Sequence, residues 1–123
     1  MMADRVSIRD ALSPEEASAL LDRLLLWLVR SVNSMEKPLV VRKICASLVA
    51  YFLRPHVSWK HCVRHLICCF SVGEVVPPQN LSQHPSTAEL VMNLVPIQLT
   101  TALWFSTSLI EEVGKTNPAS IQT

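Results

Sequence analysis

With 123 residues, half of them hydrophobic, the chain has enough apolar material for one modest core and reads as a single domain, 1–123. Two glycines against eight prolines, with long aliphatic stretches between the prolines, favour helices joined by short turns and exclude a sheet-rich fold. The formal net charge is only +1, which speaks against a nucleic-acid binder. No apolar secretory segment opens the chain, since Met1 to Ala11 carries Asp4, Arg5, Arg9 and Asp10, so the four cysteines point to a reducing compartment without disulfides.

In chain order, the first element begins at Ser-Pro-Glu-Glu. Ser13 caps it, Pro14 suits the first helical position and Glu16 closes a capping box. The helix is predicted from Pro14 to about Val32, with Leu20, Leu21, Leu24, Leu25, Leu28 and Val32 on one buried stripe. After a short turn, Pro38 starts a second helix whose apolar positions are Val41, Ile44, Cys45, Leu48 and Phe52, and Arg54-Pro55 ends it. Two helices joined by so few residues must run antiparallel, so 14–54 is predicted to be a first helix pair.

A third helix is expected from Ser58 to Phe70. The Pro-rich, polar stretch 71–85 follows as a linker, with a short turn at Asn80-Leu81. The fourth helix starts at Ser86 with Glu89 three residues later, is bent or split by Pro96, and ends at Gly114, with Pro118 beyond it. Thus 58–114 reads as a second pair. Glu111 and Glu112 lie at the unfavourable end of the helix dipole and call for a neighbouring cation or for solvent.

Three functional readings compete. Leu90 to Ile110 has no formal charge and is long enough to cross a bilayer if wholly helical, which would make a small membrane-associated protein. Asn93, Pro96, Gln98, Thr100, Thr101 and Ser106 to Ser108 weigh against it. "SWKHCVRHLICCF" (58–70) holds two histidines and three cysteines. A wheel started at Trp59 puts Trp59, Cys62, Val63, Leu66, Ile67, Cys69 and Phe70 on a packing side. It puts Lys60, His61, Arg64, His65 and Cys68 on an outer side. His61, His65 and Cys68 are then the one trio resembling a metal or thiol site. A structural zinc needs four ligands, and there is no Cys-x-x-Cys pair, phosphate loop, nucleophile elbow or paired-carboxylate motif. No cofactor, no metal and no enzymatic activity are therefore expected.

The third reading starts from charge. Lys37, Arg42, Lys43, Arg54, Lys60 and Arg64 lie in a stretch, 37–73, without an acid. Their expected place is the wet face of two neighbouring helices, and the function this supports is contact with an acidic protein partner through Arg42, Lys43, Lys60 and Arg64. Nucleic-acid binding would need exposed aromatics, whereas Trp27, Trp59 and Phe70 sit in apolar stripes.

"KPLVVRKICASLVAYFLRPHVSWKHCVRHLICCF" (37–70) has a proline-started helix with Ile-Cys-Ala-Ser-Leu, a turn, and Ser-Trp opening the next helix. It resembles the N-terminal HEAT repeats of importin-β-like nuclear transport receptors, the karyopherin-β family, in the branch containing transportin-SR. "LVMNLVPIQL" is similar to that branch's next repeat, although the acidic pair usual after its proline is here Ile97-Gln98. The resemblance covers Leu20 to Gly114 and rests on core residues. It implies an all-α fold of antiparallel helix pairs stacked as a HEAT/ARM-like α-solenoid fragment, a binding role in nucleocytoplasmic protein transport, and shuttling between nucleus and cytoplasm. The partners it implies are Ran-GTP, cargo and nucleoporin repeats. Members of that family are far longer and have a Ran-binding segment ahead of this region, so the chain reads as a fragment, a truncated gene product or a degenerate relative, expected to self-associate or to be only marginally stable because its terminal helices lack polar caps.

Overall fold

The computed structural model describes residues 13–54 and 57–116. Its elements are α1 (Pro14–Asn33), α2 (Pro38–Phe52), α3 (Cys62–Val72), a 3₁₀ helix (Pro78–Gln83), α4 (Thr87–Met92) and α5 (Pro96–Thr116). The fold is all-helical among the described residues, as expected.

The start of α1 is the reciprocal cap read from the sequence. Ser13 Oγ accepts the Glu16 N–H at 3.1 Å, and the Ser13 N–H donates to Glu16 Oε1 at 3.0 Å. The bond from the Ser13 N–H, and after it a bond from the Ser13 side chain to the carboxyl, hold the Glu16 carboxyl below its usual range. The helix buries Leu21, Leu24, Leu25, Leu28, Val29 and Val32, close to the predicted stripe. Trp27 departs from expectation: it is 51 % exposed, because the buried stripe passes on the other side of the helix.

At the end of α1 the Glu36 N–H donates to Ser31 O at 2.9 Å and the Met35 N–H to Val32 O at 3.1 Å, the bond pair of a Schellman motif. The residue this motif places in the left-handed region is Met35, at φ 55° and 79 % exposed, where glycine is the usual choice. Met35→Gly is therefore expected to stabilise the chain by about 0.5–1 kcal/mol, since the strain of a β-carbon at that φ is relieved and the side chain removed lies mostly in solvent. Urea unfolding checks it, and a variant less stable than the parent would refute the strain.

The two long helices α1 and α2 are antiparallel. The Tyr51 hydroxyl, near the end of α2, donates to the Ala17 carbonyl, near the start of α1, at 2.9 Å. The helix α2 buries Val41, Cys45, Leu48, Val49 and Tyr51. It packs against α1 on one side and α5 on the other, which is why Val49 and Tyr51 are covered while Ile44 and Phe52 are only half-buried. It ends at Phe52, ahead of Arg54; Pro55, expected to end it, lies outside the described residues, as do Met1 to Ala11 and Pro118.

Pro96 splits the fourth predicted helix. Proline has no N–H for the Met92 carbonyl, and the chain turns there before α5 begins. Gln98 holds this junction: its Oε1 accepts the Val95 N–H at 3.0 Å and its Nε2 donates to the Phe70 carbonyl, at the end of α3, at 3.2 Å. The amide uses its oxygen as acceptor and its nitrogen as donor here, which a carboxylate at this position could not do. The helix α5 thus starts beside the end of α3 and runs back along it, so that Phe105 meets Trp59, just ahead of α3, at 5.8 Å between ring centroids. The second antiparallel pair is α3 with α5.

The pairs pack on each other through α1 against α3, α2 against α5, and α1 against α5. Leu25, Leu28, Leu48, Leu66, Phe70 and Phe105, all fully buried, come from every long helix and form one core. The helix α5 runs on through Gly114 to Thr116, so Gly114 does not end it as predicted. Lys115 lies 3.5 Å from Glu112 and is the cation expected near the acidic pair.

Candidate functional site

The third helix is shorter than its periodicity suggested, and this reorganises the histidine and cysteine cluster. Residues 57–61 precede the helix, and His61 has φ 55°, in the left-handed region. A wheel started at Trp59 therefore counts from a residue outside the helix. His61 is exposed, whereas His65 and Cys68, expected on the outer side with it, are both 0 % exposed. A helix at the edge of a fold has a wet side. In contrast, α3 is contacted by α1, α4, α5 and the 3₁₀ helix, so Cys62 and every residue from His65 to Phe70 is buried.

The three proposed ligands are thus not brought together, and among the described residues no group of three or more His, Cys, Asp or Glu side chains could hold a metal ion. All four cysteines are free and buried. Burial pushes the Cys45 thiol up to about 12 and the Cys69 thiol up to about 11, and it raises Cys62 and Cys68 as well. These thiols are protonated space-fillers at neutral pH.

What His65 does instead is internal. The Trp59 Nε1–H donates to His65 Nδ1 at 2.9 Å, which leaves the ring proton on Nε2 to donate to the Val76 carbonyl. The Val76 N–H in turn meets Cys69 Sγ at 3.4 Å. The neutral imidazole ties the indole, which also packs edge-on against Tyr51, to the connector that leaves α3. Burial holds its pKa below the ordinary value, against the opposing effects of the Val76 bond and of Asp22. The sequence signal for this arrangement was the Trp59-to-His65 spacing, which became legible only once the helix was known to start after Trp59.

The four basic residues expected to form one contact face fall in two places. Arg42, on α2, stacks over the Trp104 ring of α5, 5.9 Å from its centroid, in a groove of about 250 Å³ also lined by Val41, Ile97 and Thr101. Lys43 is exposed on the same helix. Lys60 and Arg64 lie at the start of α3, in a groove bounded by the 3₁₀ helix.

Arg64 is only half-buried, but its guanidinium is engaged inside the molecule. Its Nη2 donates to the carbonyls of Leu81, His84 and Pro85 at 3.0, 3.2 and 3.3 Å, while Nε is buried without an acceptor. Three carbonyls at the exit of the 3₁₀ helix converge on one cation, which is how a polar, proline-rich connector is held against α3. Of the four, Lys43 and Lys60 are the exposed basic residues for which no side-chain contact is seen.

The segment considered for membrane insertion, 90–110, is divided between α4 and α5. Among the described residues no helix is long and apolar enough to cross a membrane. No family model, curated protein or solved structure matches the chain.

Proposed function

We propose that this chain is a non-enzymatic, protein-binding helical module whose two antiparallel pairs are successive HEAT-like repeats, acting as part of a nuclear transport receptor that shuttles between nucleus and cytoplasm. The observation that carries the reading is pair-on-pair packing with an apolar face left over. On α5, Leu103 and Ile110 are 61 % and 63 % exposed, one side of a helix whose other sides meet α1, α2 and α3. In a stacked array the next helix pair covers such a face. Ran-GTP, cargo and nucleoporin repeats are the partner classes proposed, and the sequence resemblance over Leu20 to Gly114 is what supports them.

The stacking part is tested without any partner. Expressed alone, the chain is expected to cover the α5 face with a second copy, giving concentration-dependent association in sedimentation equilibrium, and Leu103→Lys with Ile110→Lys to shift it to monomer with its helical circular dichroism intact. A parent protein that stays monomeric and melts cooperatively would overturn the stacking. The transport part is tested by titration with Ran loaded with GTP and with GDP and with a nucleoporin repeat peptide; no binding to any of them would sink it.

A further inference from the structure

Two grooves adjoin at the start of α3, and Trp59, Lys60, His61 and Arg64 line both. Among the described residues, neither has an aspartate or glutamate in its lining. Their polar lining consists of hydrogen-bond donors or cations together with Ser58, Gln79 and Ser82 on one side and Thr87 on the other, and Leu21 and Leu81 add apolar floor beside the indole. The first turn of α3 has no acidic residue and its N-cap, His61, makes no side-chain capping bond, so the helix dipole adds to the positive potential. The groove between α2 and α5 that holds Ala46, Ala50 and Trp104 contrasts with this one, since Glu111 and Glu112 line it.

From this charge pattern we infer that the paired grooves at the start of α3 dock an acidic, extended segment of a partner protein, with its carboxylates at Lys60 and His61. Arg64 serves the site indirectly: by gripping the connector carbonyls it holds the 3₁₀ helix as the far wall of the first groove. Lys60 and His61, both exposed, supply the free charge and the polar edge. The site names a partner chemistry for the protein-binding reading on which it rests, and it needs neither self-association nor a transport partner to be observed.

The test is fluorescence anisotropy on the full chain with a short labelled peptide of alternating Glu and Leu. Binding is expected to weaken with added salt. Lys60→Glu combined with His61→Glu is expected to weaken it by about tenfold, as reversal of rim charges does, while Arg30→Glu on α1 changes it little. Unchanged affinity in the double variant, equal loss in Arg30→Glu, or equal binding of a Lys-Leu peptide would overturn the site. Displacement of the peptide by inorganic phosphate alone, or tighter binding of a single-stranded oligonucleotide, would overturn the peptide assignment. Loss of this binding with Ran or nucleoporin binding intact refutes only the groove, and the converse refutes only the transport role.

Discussion

His65→Ala is expected to lower the unfolding free energy by about 3 kcal/mol or more, because it opens a cavity in the core and orphans two polar groups at once. The Trp59 indole N–H loses its acceptor and the Val76 carbonyl loses its donor, both in a region where the imidazole itself is wholly buried. The same geometry sets an acid dependence. Both ring nitrogens are committed, one as acceptor and one as donor, so a second proton must displace the Trp59 bond. The folded-state pKa of His65 lies below its ordinary value of 6.5, and the unfolded chain therefore takes up this proton first as pH falls. The stabilisation from the neutral ring is complete above the unfolded value and is lost progressively as pH falls from there through the folded one. Urea unfolding at a series of pH values should show stability declining on the acid side of about pH 6.5, and His65→Gln, which does not titrate, should flatten that decline. Equal slopes in parent and variant would mean that other groups carry the acid limb.

The second large effect concerns the connector. Arg64→Met keeps most of the aliphatic stem but removes the donor on which the Leu81, His84 and Pro85 carbonyls converge, at an expected cost of about 2 kcal/mol for hydrogen bonds from a charged group. The loss should be local as well as global. The amides of Asn80 and His84, bonded within the 3₁₀ helix and at its exit, should exchange faster with solvent than those of α1. Arg64→Lys keeps a cation for the same carbonyls and is expected to recover part of the stability. If Met and Lys behave alike, the residue acts through packing and not through its charge.

The two residues show why a linear reading places a charge or an imidazole on the wrong side of a helix. Histidine and arginine are polar, and a wheel assigns them to solvent. Whether solvent is there depends on how many neighbours surround the helix. For α1 the wheel worked, because that helix has a broad outer face on which Asp22, Arg23 and Arg30 lie. For α3 it failed, because helices and the connector surround it and His65 meets its hydrogen-bonding needs inside. Trp27 fails in the opposite sense: an aromatic expected in the core is half in water, beside a stripe of leucines that fills the available space.

Local chemistry alone determined several element boundaries and one buried face. A serine, a proline and a glutamate at fixed spacing set the start of α1, a proline without an N–H divided α4 from α5, and the leucine period of α1 named its buried side, since each of these acts over one or two turns of chain. Tertiary structure decided the rest. It moved the start of α3 past Trp59, buried His65 and Cys68, turned Arg64 inward and parted Arg42 from Lys60, because burial, tautomer and charge pairing are set by groups brought near from distant parts of the chain, and no periodicity within a helix records them.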